Sequence, residues 1–273
     1  TAFIDADNAH GARATFMAVD HGIKMARETG ISAVGIQNTS HFGPAGAYSK
    51  HAANLGYIAI IFGNSDSFVK LHDGAVRFHG TNPISVSIPS SIKEQPWLLD
   101  MATSAVPYNR IELYRSLNKD LPEGVANDAN GVPTINPHQA ETLSPLGGEF
   151  SFKGAGLGGL AEIFSSVLTG MLTSPEILPM IGPDFKTPRK MGAFVIIIHP
   201  EGLIGLDAIK SGMEKYLSLL RNSQALKDKK VLAPGDREWK EAKNRFQKGI
   251  PLDPNTMMSF QKLSDQLKIK LPF

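Results

Sequence analysis

The sequence predicts an α/β fold, a sheet covered by helices, and three observations predict it. Apolar runs of strand length occur at Ile31–Gln37, Tyr57–Phe62 and Ala193–Ile198. Segments with helical spacing of apolar residues alternate with the first two. Each early run closes on a polar cluster, the pattern of a ligand site beyond strand ends.

The elements follow in order. Thr1–Asp7 reads as a strand met mid-protein, and with no initiator methionine a further segment is expected ahead of Thr1. His10–Arg27 carries Ala14, Met17, Ala18, Ile23 and Ala26 at helical spacing, with Gly30 as the stop. After the Ile31–Gln37 strand, Asn38–Gly43 is a polar loop. Pro44 opens a helix to about Leu55, ended by Gly56. Tyr57–Phe62 is a buried strand that ends at Asn64–Asp66. Thr81-Asn82-Pro83 turns the chain into an alternating strand, Ile84–Ile88, and Trp97–Leu99 is a short strand ending at Asp100. Residues 118–146, rich in Pro, Gly, Asn and Asp, read as a long turn-punctuated excursion. A glycine-rich turn and a helix to about Leu172 follow, then the Ala193–Ile198 strand. From Leu206 the chain reads as amphipathic helix, broken at Ala233–Asp236. Two regions are expected: an α/β domain over 1–205, and a C-terminal helical region, 206–273, packing back on it.

Composition narrows the class. At 273 residues, 42% hydrophobic and 20% charged, the chain is that of an ordinary soluble globular protein of one or two domains. It has no cysteine, which excludes disulfides and thiolate chemistry. Its apolar runs are too short to span a membrane and no signal peptide is visible, so a cytoplasmic location is expected. Residues 210–248 hold eleven Lys and Arg against five Asp and Glu, leaving −4 of the net +2 for the rest. Those charges alternate in sign and lack interleaved aromatics. They read as solvated helix faces rather than a nucleic-acid surface.

Lys153 stands at the mouth of the glycine-rich stretch Gly154–Gly159, a setting that suits a phosphate or pyrophosphate. Gly154, Gly156 and Gly159 match the spacing of the dinucleotide-binding fingerprint. That fingerprint needs a buried strand before it and an acid about 20 residues on; Ser144–Glu149 reads as loop, and no strand precedes Glu176. His41, between a strand and a helix, is suited to proton exchange near neutral pH, with an exposed loop histidine as the alternative. Asp66 could orient a substrate or the histidine, or cap a strand end. Asp100 could accept from a ribose, or be a turn carboxylate. Gly235-Asp236-Arg237 reads first as a helix cap. The histidines show no metal-ligand spacing and no metal site is expected.

Taken together, Asp5–Gly11, Asn38–Gly43, Gly80–Pro83, Asp100–Ser104, Leu121–Gly124, Asp128–Thr134, Lys153–Leu157 and Pro234–Asp236 resemble the type-2 malate/L-lactate dehydrogenase family, in family order over nearly the whole chain. The family includes ureidoglycolate and sulfolactate dehydrogenases. The resemblance implies a mixed α/β, non-Rossmann dinucleotide-binding fold, with cofactor and substrate held in the 1–205 domain. It implies NAD(P)-dependent hydride transfer between a nicotinamide cofactor (NAD or NADP) and a small 2-hydroxy or 2-keto acid, usually in a homodimer. His41 matches the general acid/base. Ser65, Asp100, Met101, Ala102, Lys153, Gly154, Gly235, Asp236 and Arg237 match cofactor contacts, and Asp66 and Asn82 lie in motifs near the substrate.

The chain also departs from the pattern. The family's leading helical segment, with a Ser-His-Gly motif and a downstream Arg that hold the substrate carboxylate, is missing from this sequence. Pro107-Tyr108-Asn109-Arg110 replaces a small glycine turn, and Val125 stands where a tryptophan is common. These departures motivate a second reading, a catalytically inactive dinucleotide-binding member. Substrate choice is expected to depend on the leading segment and on the loop Val69–His72.

Overall fold

A computed structural model describes residues 1–92 and 94–271. The chain forms two compact units, Thr1–Pro234 and Gly235 onward.

The first unit runs β1 (Ala2–Asp5), α1 (Gly11–Thr29), β2 (Ile31–Thr39), α2 (Gly46–Asn54), β3 (Ile58–Gly63), β4 (Val69–Lys70), β5 (Arg77–His79), β6 (Ile84–Ile88), β7 (Trp97–Met101) and α3 (Tyr108–Ser116). It continues through β8 (Ala126–Asn127), β9 (Thr142–Leu143), α4 (Phe152–Glu162), β10 (Met191–Ile198) and α5 (Leu206–Arg221). The second unit holds α6 (Asp236–Lys248) and α7 (Pro254–Leu267). The basic residues of α6, including Lys240, Lys243, Arg245 and Lys248, are exposed.

Six strands form one mixed sheet in the order β1-β2-β10-β3-β6-β7. β1 and β2 are parallel, and every other neighbouring pair is antiparallel. The expected α/β class with a mixed, non-Rossmann sheet is therefore what the chain adopts. β10 runs centrally although it comes last in sequence, pairing Val195 with both Val34 and Ile61.

Alternation along β10 serves two cores. Ala193, Val195 and Ile197 are fully buried, in one cluster with Val19, Ile23 and Ala26 of α1 and Tyr48 and Ala52 of α2. Phe194 and Ile196 face the other way and pack with Phe62, Ile84, Ala161 of α4 and Phe164 just after it. A sheet that buries both faces needs apolar residues at successive positions, hence the unbroken Phe194–Ile198 run.

A smaller sheet, β5-β4-β9-β8, packs around Ile111 of α3, Leu121, Val125 and Leu143. It occupies part of the 118–146 excursion that read as loop. Its strands are two or three residues long and carry no readable alternation. Among the described residues no helix is long and apolar enough to cross a membrane.

Two expectations are corrected here. Gly154–Gly159 does not form a turn: it lies inside α4, and the turn is made one step earlier by Gly147 and Gly148, both at positive φ. The helix also does not continue regularly to Leu172, because Ile163–Val167 widens into a π-helical turn.

Ile197→Ala should lower stability by about 2–5 kcal/mol, the usual cost of truncating a fully buried aliphatic side chain; urea denaturation followed by circular dichroism measures it.

Candidate active site

Strand direction puts the carboxyl ends of β1, β2, β3 and β7 on one edge of the sheet, beside the starts of β6 and β10. The polar clusters that follow β2, β3 and β7 therefore meet at this edge.

His41 is placed by its neighbours. Asn38, at φ 49°, turns the chain out of β2. A Cβ on Gly11 would lie 2.2 Å from the Ser40 carbonyl oxygen, so the start of α1 presses directly on the backbone that carries His41. On the other side Phe42 is buried, its ring 5.5 Å from Tyr48, whose hydroxyl donates to the Phe42 carbonyl. Burial pushes the Tyr48 phenol up to about 12, which keeps it a donor. Gly43, at φ 72°, directs its N–H to His41 Nδ1 at 3.3 Å. That contact engages Nδ1 and leaves Nε2 as the ring nitrogen without a hydrogen bond from the described residues. The His41 pKa is lowered from 6.5, first by partial burial of the ring and then by the Arg189 guanidinium; Asp66 opposes the shift and His10 adds to it.

His41 lines a cleft of about 580 Å³ together with Ser65, Asp66, Phe68 and Thr81. Pro107, Tyr108 and Asn109, part of the sequence departure noted above, line it too, and the Tyr108 and Phe68 rings lie 4.4 Å apart. Glu112 and Arg115 complete that side, paired at 2.6 Å, and Arg115 also donates to the carbonyls of Pro137 and Ala140. Met180 and Ile181 form the facing lip.

Asp66 is nearly buried and both its oxygens are engaged. Arg189 Nη2 donates to one at 2.5 Å and the Met180 N–H to the other at 3.0 Å, while Arg189 Nε reaches the Leu178 carbonyl at 3.1 Å. A buried pair of this kind gains little net stability against its desolvation cost, but it dictates geometry. Here it fastens residues 178–189 to the end of β3.

Asn82 lies away from the cleft surface. It is fully buried, and its amide donates to Glu162 Oε2 at 2.7 Å and to the Gly158 carbonyl at 3.0 Å. Glu162 accepts three further bonds, from Asn64 Nδ2 (3.2 Å), Ser174 N (2.8 Å) and Ser174 Oγ (2.5 Å). Only donors surround it, which is what a carboxylate needs. This network ties α4 to the end of β3, the start of β6 and the segment after α4. It held no sequence signal beyond Asn82, because Glu162 reads as one acid in an apolar helix. Met180, Ile181 and Arg189 were missed as well, since no element is read from the sequence between Leu172 and Ala193.

The expected cofactor residues fall in several places. Ser65 shares the cleft with His41. Asp100 accepts from the Gly46 N–H at 2.9 Å, capping the start of α2. Met101 ends β7, and Ala102 leads to Thr103, which bonds back to Thr81. Lys153 stands in the first turn of α4, over the rings of Phe150 (5.4 Å) and Phe152 (5.9 Å). Gly154 is required by close approach: a Cβ there would sit 2.1 Å from the Leu146 carbonyl oxygen. Leu146 in turn donates to the Thr103 carbonyl, so backbone contacts link the α4 start through Thr103 to Thr81 in the cleft. Gly235, Asp236 and Arg237 belong to the second unit, where left-handed Gly235 precedes α6. The Val69–His72 segment is tied elsewhere, His72 pairing with Ser151 at 2.9 Å.

The donor set fits a dinucleotide. The α4 start bears a lysine and no acid in its first turn, and the His41 cleft offers an aromatic pair with flanking hydroxyls.

The signature of the malate/L-lactate dehydrogenase family matches residues 1–261. The chain is 30% identical over 272 residues to malate/(S)-sulfolactate dehydrogenase of Methanothermus fervidus, covering 99% of this chain and 77% of that protein. It is 34% identical over 200 residues to ureidoglycolate dehydrogenase (NAD(+)) of Escherichia coli, covering 73% of this chain and 56% of that one. The crystal structure of malate dehydrogenase from Entamoeba histolytica superposes with a TM-score of 0.93 at 29% identity, over 100% of this chain and 79% of that one.

Glu162→Ala should cost at least about 3 kcal/mol, since each orphaned buried donor costs about 1–3 kcal/mol. Glu162→Gln, which keeps one acceptor oxygen, should lose less, and urea midpoints of the two variants separate the cases.

Proposed function

The chain belongs to the malate/L-lactate dehydrogenase family and is an oxidoreductase of that kind, and from that premise we propose that it moves a hydride between NAD and a small 2-hydroxy or 2-keto acid, with His41 as the general acid/base. The observation that carries the reading is the placement of His41. It sits just past a strand end, with Gly11 pressed on its backbone and Phe42 buried beside it, in a cleft that also bears Ser65 and Thr81.

A bound nicotinamide supplies or accepts the hydride. The chain's own residues then have three tasks. His41 gives a proton to the carbonyl oxygen during reduction and takes the hydroxyl proton during oxidation. When Nε2 has given up its proton, the remaining one is on Nδ1, so the 3.3 Å contact from Gly43 must open in the reacting complex. Phe68 and Tyr108 present flat apolar surface beside the reacting atoms and exclude water from that side. Ser65 and Lys153 supply donors for the cofactor, with Asp100, Met101, Ala102 and Gly154 shaping the backbone between them. Gly235, Asp236 and Arg237, in the second unit, are proposed as cofactor contacts on their match to the family motif alone. Asp66 acts on the histidine and the lip rather than on the substrate, since both its oxygens are engaged.

NAD is favoured over NADP by the E. coli relative, whose name specifies NAD(+). A homodimer fits the exposed apolar residues Leu160, Ile163 and Val167 along α4 and its π-helical turn. A cytoplasmic location remains part of the proposal.

His41→Ala should lower kcat for keto-acid reduction by about 10²–10⁴-fold while leaving the NADH Kd nearly unchanged; near-normal turnover would remove His41 from the mechanism. A full panel of 2-keto acids with NADH and NADPH, followed by absorbance, identifies the substrate and cofactor. NADH binding without turnover of any acid would favour the inactive, dinucleotide-binding reading.

The lowered pKa of His41 has a defined sign in the pH profile. Oxidation needs the neutral ring, so its kcat/KM should rise with pH only below 6.5 and be flat through neutrality. Reduction needs the protonated ring and should already be falling at pH 6.5. An oxidation limb still climbing tenfold per pH unit above 7 would contradict this assignment.

A further inference from the structure

Behind the lip of the cleft lies a second cavity, of about 260 Å³, walled by Pro175, Ile177, Pro179 and Arg77. Three residues line both cavities: Asp66, Phe68 and Ile181. Two of the three are held. The Asp66 carboxylate is bound by Arg189 and the Met180 N–H. Phe68 packs at a tilt against Tyr108, ring centres 4.4 Å apart, and lies under the Arg77 guanidinium at 5.8 Å. Ile181 is 70% exposed and makes up the rest of the partition.

We propose that this side chamber is the space a longer alkyl tail of a 2-oxo or 2-hydroxy acid would need, and that Ile181 is the specificity-determining residue that closes it to the reaction cleft and so restricts the enzyme to short acids. The proposal rests on the dehydrogenase reading above and adds the part of the substrate remote from the reacting carbon.

The chemistry of the chamber selects an uncharged tail. Two prolines, two isoleucines and the Phe68 ring supply apolar wall. Its charged groups are occupied: Asp66 by Arg189, and Arg77 by Glu141, whose backbone carbonyl and carboxylate it reaches at 2.7 and 3.2 Å. A second carboxylate or a sulfonate on the tail would find no free cation there among the described residues, only the hydroxyls of Ser67 and Ser174 and the solvent that reaches the exposed rim at Pro175 and Pro179. The anchor on Met180 is what makes the partition selective. A lip bonded through its backbone to a buried carboxylate cannot swing aside for a longer tail, so the side chain at 181 sets the length limit. With isoleucine in place the chain favours short acids.

The test compares kcat/KM of the intact enzyme for pyruvate and 2-oxohexanoate at saturating NADH, in wild type, Ile181→Ala and Ile181→Trp. A methylene gained or lost in an apolar pocket is worth roughly 10–200-fold in specificity. Ile181→Ala should therefore raise the 2-oxohexanoate/pyruvate ratio by about tenfold or more, and Ile181→Trp should leave it at or below the wild-type value, both with unchanged NADH Kd. A ratio that stays within twofold of wild type in Ile181→Ala, in an enzyme that still reduces pyruvate, overturns the subsite and leaves the dehydrogenase reading standing. A folded wild type that reduces no 2-oxo acid overturns the dehydrogenase reading, and the subsite with it.

Discussion

A single buried acid, Glu162, sets the arrangement on which the candidate site depends. Taking a carboxylate out of water is tolerable only if its oxygens are met by donors, and here four donated bonds from Asn64, Asn82 and Ser174 do so. Those donors come from the end of β3, the start of β6 and the segment after α4. Satisfying one side chain thus fixes α4 against the sheet edge in a single orientation. The same requirement fixes its neighbours: Asn64 also reaches the Leu172 carbonyl, and the His79 ring lies against Gly158 of α4. Burial lowers the His79 pKa from its ordinary value, with Glu162 opposing the shift.

Around that fixed corner the site divides its labour by chemistry. The sheet edge supplies rigidity, since His41 and Ser65 stand directly after paired strands. The lip at Met180 and Ile181 is irregular backbone, and it is made definite by Asp66 and Arg189. The aromatic pair at Phe68 and Tyr108 belongs to the smaller sheet and its helix, a part of the chain that can vary without disturbing the large sheet. Tyr108 falls at the sequence departure from the family, so the departure lies in the cleft wall and leaves the scaffold unchanged.

Strongly patterned elements were legible in the sequence. The helical spacing of α1, the Gly30 stop and the apolar runs of β3 and β10 each carry local signals, and all form where expected. His41 could be singled out because strand, loop and helix follow one another within a few residues. What could not be read depends on contacts distant in sequence. The small strands β4, β5, β8 and β9 are too short to show period two, and Ile111 is the only buried residue of α3. The glycines after Lys153 read as a turn because glycine is costly in a helix; Gly154 is there because α4 crosses the Leu146 backbone too closely for a side chain. Arg189 and Glu162 gain their meaning only from Asp66, Asn64 and Asn82, about 80 to 120 positions earlier.

The central position of β10 has a consequence for how the protein is made. β2 and β3 leave the ribosome long before Met191–Ile198, the strand that lies between them, so the sheet cannot close until most of the first unit has been synthesised. Until then two apolar strands present unpaired edges, the condition in which nascent chains attract chaperones or one another. Final closure joins residues more than 130 positions apart, pairing Ile61 with Val195, and such long-range pairing folds slowly. Because Gly192 at the start of β10 also donates to the Asn64 side chain, the strand that comes last in the sheet's sequence order also supplies a contact to the Glu162 corner.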